Sequence, residues 1–185
     1  MSDHIPVHRP RLPALPAVAP YLRKIDAERW YSNNGPLVKN LEARFASLAG
    51  VPATSALATA SCTAALTACL RVLAPEGGRC LMPAFTFPAT AAAAVAAGLQ
   101  PVFSDVDPVS WSLTPGIASN ALDQLDNDIA LVLPVSPFGA PVDTTAWRQF
   151  ADAFSVPVVI DAAAGADAVI SRRIDSARVP VCISL

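Results

Sequence analysis

Residues 79–104 read RCLMPAFTFPATAAAAVAAGLQPVFS. Apolar runs at 79–82 and 101–104 flank an alanine-rich segment at 87–97, and Pro83 closes the first run. Strand, helix and strand in that order describe one β–α–β unit. The alternation continues on both sides. Apolar runs at 55–59, 129–135, 156–160 and 179–184 read as further strands, with 62–74, 116–125 and 144–154 as the helices between them. Strands this apolar need cover on both faces. The expected fold class is therefore α/β, a mostly parallel sheet with helices on both faces. No internal repeat is evident.

Upstream, Leu37, Leu41, Phe45 and Leu48 recur at helical spacing until Gly50 and Pro52 end the pattern. Residues 1–20 are proline-rich and are expected to run extended over the surface or onto a partner subunit. A short helix is expected over 19–29, followed by the loop WYSNNGPL (30–37). Residues 171–178 hold four charges and are expected to form an exposed turn before the last strand.

Composition narrows the function. The chain has 185 residues, 53% hydrophobic and 15% charged, which suits one domain with a real core and excludes a disordered or coiled-coil chain. With a net charge of −2 and no basic stripe, nucleic acid is not an expected partner. The charge-free windows 45–70 and 81–104 are interrupted by Gly50, Pro52, Pro83, Pro88 and Pro101, so neither reads as a membrane span. The start, MSDHIPVHRPRLPALP, lacks the apolar core of a secretory signal, and a cytoplasmic protein is expected. Cys62, Cys69, Cys80 and Cys182 follow no metal-binding spacing and are expected to be buried free thiols. His4 and His8 both lie in the leader, which leaves no metal centre or histidine-based triad to expect.

Ligands of open α/β sheets collect at the carboxyl ends of the strands. Three segments place suitable groups there. In LATASCTAAL (57–66), Ser61, Cys62 and Thr63 open a helix, which suits a phosphate or equally a simple cap by Ser61. In MPAFTFPAT (82–90), Phe85 and Phe87 offer a ring to a flat ligand or to the core. In VPVVIDAAAGADA (156–168), Asp161 ends an apolar strand, where a carboxylate is costly unless compensated. It either caps the next turn or holds a protonated heterocyclic nitrogen, as in pyridoxal phosphate enzymes. No G-x-G-x-x-G or Walker pattern supports a dinucleotide or ATP site.

In order and spacing these segments resemble the DegT/StrS family of pyridoxal phosphate-dependent sugar aminotransferases, enzymes of fold type I. The resemblance is carried by IDAERWYSNNGPLVKNLEARFASLAGV (25–51), ASCTAALTACL (60–70), MPAFTFPATAAAAVAAGLQPVFSDVDPVSWSLTP (82–115), LPVSPFGAPVD (133–143) and 156–168. It implies the cofactor pyridoxal 5'-phosphate and transfer of an amino group, with glutamate the expected donor. The acceptor would be a keto-sugar, usually nucleotide-linked, in polysaccharide, cell-surface glycan or secondary-metabolite biosynthesis.

Residue by residue, Thr63 with the backbone at Cys62 and Ala64 matches the family's phosphate-binding segment, and Phe87 matches its stacking aromatic. Asp161 matches the acid on the ring nitrogen, and Ser184 a serine that reaches the phosphate. Two positions depart from the pattern. Cys62 replaces the family's glycine, and Ala164 stands where a Gln or His touches the cofactor's phenolic oxygen. The family's Schiff-base lysine falls a few residues beyond Leu185, so no catalytic residue is expected within 1–185, and the chain alone is expected to be inactive. Residues 1–36 are expected to form an arm and interface segment of a homodimer. Residues 37–185 would be an incomplete cofactor-binding large domain without the C-terminal small domain. A dehydratase-like relative, a degenerate non-catalytic module and a nucleotide-binding α/β domain stay open beside this reading.

Overall fold

A computed structural model describes residues 12–126, 128–172 and 179–185. Among these the elements run α1 (Leu15–Glu28), α2 (Pro36–Ala49), α3 (Cys62–Leu73), β1 (Gly78–Pro83), α4 (Pro88–Ala96), β2 (Leu99–Ser104) and α5 (Pro115–Gln124). They continue with β3 (Leu131–Val132), α6 (Thr144–Phe154), β4 (Ile160–Ala162), α7 (Ala166–Arg172) and β5 (Val181–Ile183). Helix starts follow from local chemistry. Proline stands in the first turn of α1, α2, α4 and α5, where its missing N–H has no intrahelical role. Ser61 and Asp143 cap α3 and α6 by accepting from Ala64 N–H (3.1 Å) and Ala146 N–H (3.0 Å).

β1 pairs in parallel with β2 on one side and β3 on the other. β4 pairs in parallel with β5. Parallel bridges Val132–Val158 and Val135–Asp161 join β3 to β4. The strand order is therefore β2-β1-β3-β4-β5. The chain leaves β1 for β2 and then returns past β1 to β3, so the topological switch lies between β1 and β3.

Alternation along the strands splits the core into two layers. On one face Leu81, Val132, Val158 and Ile160 pack against Leu122, Trp147 and Phe150 of α5 and α6. On the other, Cys80, Met82, Leu131 and Val159 pack against Leu66 and Leu70 of α3 and Ala93 and Ala94 of α4. A fully buried leucine such as Leu81 contributes about 2 kcal/mol by leaving water. The expected α/β class, with helices on both faces of a parallel sheet, is what forms.

Several local expectations need correction. Residues 56–60 form no strand. The Ala58 N–H donates to Glu42 Oε1 at 2.8 Å instead of to a strand neighbour, and a cleft separates this segment from β5. Helix α1 begins at Leu15, so residues 15–20 are helical rather than extended; Pro16 fits the first turn and Pro20 is carried inside the helix. The strand expected at 156–160 is displaced toward 160–162, and α7 follows it unforeseen. Of the turn expected at 171–178, residues 173–178 lie outside the described residues, as do residues 1–11 of the leader. Among the described residues no helix is long and apolar enough to cross a membrane.

Candidate active site

Asp161 is the middle residue of β4 and only 5% exposed. Its strand neighbours Ile160 and Ala162 both enter the core layer under α5 and α6. Strand alternation therefore turns the Asp161 side chain to the opposite face, toward α4. There Thr90 Oγ1 donates to Asp161 Oδ2 at 2.7 Å, and the Ala163 N–H donates to Oδ1 at 3.1 Å. Thr90, itself buried, lies 2.6 Å from Thr86 Oγ1, so a chain of hydroxyls connects the loop after β1 to the acid. Asp161 forms no ion pair among the described residues. A carboxylate offers about four acceptor positions, and with two filled it retains room for a cationic N–H donor. That is what a protonated ring nitrogen would supply.

Cys62, Thr63 and Ala64 form the first turn of α3. The Ala64 N–H is taken by Ser61 Oγ at 3.1 Å. The N–H groups of Cys62 and Thr63 are left for an anion, as first-turn donors without an intrahelical acceptor. Burial, the charge of Asp161 and that of Cys69 push the Cys62 thiol up to about 11. The field of Asp161 thus reaches the start of α3. Phe87 is the N-cap residue of α4 and is 77% exposed. Its neighbour Phe85 instead packs edge-on with Trp111 (5.6 Å) and Phe138 (6.0 Å).

Ser184 is exposed, and its N–H donates to Ala163 O at 3.1 Å, which ties the end of β5 to the turn after Asp161. Ala164 is exposed in that turn, and its carbonyl presses on Gly139, where an added Cβ would come within 2.5 Å of it. A cleft of about 590 Å³ lies between the segment 55–62 and β5. Ser61, Cys62 and Ser184 line it; Thr63, Phe87 and Asp161 do not. The start of α3 and Ser184 thus line one cleft, while Thr90 of α4 joins Asp161, through its hydroxyl, to the Phe87 carbonyl, which accepts from its N–H.

Sequence reasoning missed Thr90 and Thr86. Their only signal is two hydroxyls four residues apart at the entrance of an alanine-rich helix. It also missed Glu42, whose carboxylate holds the backbone ahead of α3.

The profile of the DegT/DnrJ/EryC1/StrS aminotransferase family matches residues 17–174. The chain belongs to this family. It is 32% identical over 164 residues to the dTDP-4-amino-4,6-dideoxy-D-glucose transaminase of Escherichia coli, covering 88% of this chain and 43% of that protein. It is 33% identical over 147 residues to a putative pyridoxal phosphate-dependent aminotransferase, EpsN, of Bacillus subtilis (strain 168), covering 77% and 37%. Among solved structures, a putative PLP-dependent aminotransferase from Bacillus cereus ATCC 10987 superposes with a TM-score of 0.78 at 31% identity, over 88% of this chain and 44% of that one. DesI, solved with its TDP-sugar product, superposes at 0.75 and 32%, over 89% and 41%. The chain thus spans less than half the length of the relatives it matches. The α/β architecture of this DegT-family chain is the type I fold of those structures over the matched part.

Proposed function

We propose that this DegT-family chain is the cofactor-binding portion of a pyridoxal phosphate-dependent sugar aminotransferase. The amino group would pass from glutamate to a nucleotide-linked keto-sugar. The observation that carries the reading is Asp161: a buried carboxylate, fixed by Thr90 and Ala163, with no ion pair among the described residues. Bound there, pyridoxal phosphate supplies an electron sink for charge developing at the amino-bearing carbon. Asp161 would keep the ring nitrogen protonated. Thr63, the N–H groups of Cys62 and Thr63, and Ser184 would hold the phosphate, and Phe87 would cover the ring. Cys62 adds bulk where the family has glycine and Ala164 offers no side-chain donor, so retention would be weaker than in relatives with the full set.

Residues 1–36 would serve as the arm of a homodimer and 37–185 as the large domain. Helix α1 buries none of its own residues, which supports an arm that needs a second surface. The described cysteines are free thiols, in keeping with a reducing cytoplasm.

The chain's lysines, Lys24 and Lys39, sit on α1 and α2, one paired with Glu28 at 3.8 Å and the other 6.0 Å from the Trp30 ring centroid. Among the described residues neither pairs with Asp161, so 1–185 by itself should bind the cofactor without turning over. The test is equilibrium dialysis with pyridoxamine phosphate, a form that needs no lysine. Saturable binding that weakens at least ~10-fold in Asp161→Asn supports the reading, since a hydrogen bond to a charged group contributes about 1.5–3 kcal/mol. Equal binding by both chains refutes it.

A further inference from the structure

Cys69 and Cys182 are 113 residues apart in sequence, yet their sulfurs lie 3.9 Å apart, with Cys182 Sγ–H directed at Cys69 Sγ. One sits on α3 and the other on β5, where Cys182 is the register partner of Asp161. Their environments differ. Cys182 is 4% exposed, whereas Cys69 is half-buried. Both line the 590 Å³ cleft, together with Cys62 two helical turns earlier on the same face of α3. The expectation that all four cysteines are buried is corrected here: Cys62 and Cys69 border open space because residues 55–60 stand off from β5 instead of pairing with it.

We propose that Cys69 and Cys182 form a redox-active dithiol, with Cys69 the attacking thiol and Cys182 the resolving one, taking an oxidised small thiol as substrate from the cleft. In the first step the Cys69 thiolate forms a bond to one sulfur of the small disulfide, whose S–S bond breaks and releases one thiolate. Cys182 then loses its proton to that thiolate and forms a bond to Cys69 Sγ, expelling the second small thiolate. Two protein thiols are oxidised and one disulfide is reduced to two thiols. The new bond joins helix α3 to strand β5.

The roles follow from the contact. The S–H of Cys182 donates to Cys69, holding the Cys69 thiol down to about 7 against the opposing effect of burial. The same bond, burial and the charges of Cys69, Cys62 and Asp161 push the Cys182 thiol up, so it reacts second. Glu42 of α2 also lines the cleft, with its carboxylate already engaged by the Ala58 N–H. Cys62, pushed up to about 11, is a poor competitor for the first attack, and Cys80 is buried away from solvent. The thiol chemistry does not rest on the aminotransferase reading.

The test treats the reduced, purified 1–185 chain with oxidised glutathione at neutral pH, traps remaining thiols by alkylation, and maps tryptic peptides. A disulfide joining peptide 45–71 to 179–185, through Cys69, is expected. In the Cys182→Ser chain, a glutathione adduct on Cys69 should accumulate instead. Short exposure of the reduced chain to iodoacetamide should label Cys69 at least ~10-fold faster than Cys62, from the difference in thiolate fraction less the lower nucleophilicity of the more acidic thiol. A Cys62–Cys69 bond within peptide 45–71, a stable Cys69 adduct in the unmutated chain, or equal labelling of Cys62 and Cys69 would each overturn the proposal. The peptide map and labelling of the unmutated chain decide the question even if Cys182→Ser folds poorly.

Discussion

At Asp161 a buried carboxylate is met by two donors, and each should be measurable alone. Thr90→Val removes the hydroxyl and leaves Oδ2 without its bond inside the core. The expected loss is about 1–3 kcal/mol in urea unfolding, with Thr90→Ser losing less. An unchanged midpoint would show that water replaces the bond. Gly139 offers a second single-residue test. Its φ is 82°, and a Cβ there would meet the Ala164 carbonyl at 2.5 Å. Gly139→Ala should therefore destabilise the chain by roughly 2 kcal/mol or more, read by thermal unfolding. Asp161 was legible in the sequence because an acid ending an apolar run calls for an explanation. Thr90 was not, because a threonine in an alanine-rich helix looks like surface until the facing strand is known.

Among the elements, α3 would carry the most weight in the proposed function. Ser61→Ala should remove the Ala64 cap and lower stability by about 1 kcal/mol in chemical denaturation, with the fold retained. The turn after β2 should respond to acid. Asp107 accepts from Ser110 N–H, Ser110 Oγ and Val109 N–H, and the Ser110 bonds hold its carboxyl below the ordinary value of 3.8. A depressed folded value means these bonds stabilise the turn above 3.8 and are lost as pH falls through the lower value. An NMR titration of the Ser110 amide should show its midpoint below 3.8, and a midpoint at or above it would contradict the turn geometry. Helices α3 to α6 were legible as alanine-rich or amphipathic stretches between the apolar runs, and the structure adds the proline or capping residue at each start. The strand expected at 55–59 was not correctly legible. An apolar run suits a strand only where a neighbour pairs with it and covers it; here Glu42 of α2 takes the Ala58 donor and the run stays largely exposed, Leu57 included. Helix α7 was hidden for a different reason: ADAVISR (166–172) is too short to show a period.

On the scale of the whole molecule, two apolar layers enclose the five parallel strands found among the described residues, and Thr90 and Thr86 connect Asp161 on β4 to the loop after β1. Considerable apolar surface stays outside those layers: Tyr31 (70% exposed), Phe87 (77%), Phe138 (82%) and Leu57 (82%). Surface of this kind marks contacts with other chains or segments. Purified 1–185 should therefore self-associate at micromolar concentration in light scattering, and a monodisperse monomer would contradict that. The claim on which the functional account turns is that Asp161 holds a protonated pyridine nitrogen. Pyridoxamine phosphate labelled with ¹⁵N in its ring, added to the chain and observed by NMR at neutral pH, tests it directly. The account predicts the shift of a protonated ring nitrogen in the unmutated chain and its loss in Asp161→Asn. An unprotonated ring nitrogen in the bound state, or the same shift in both chains, would contradict it.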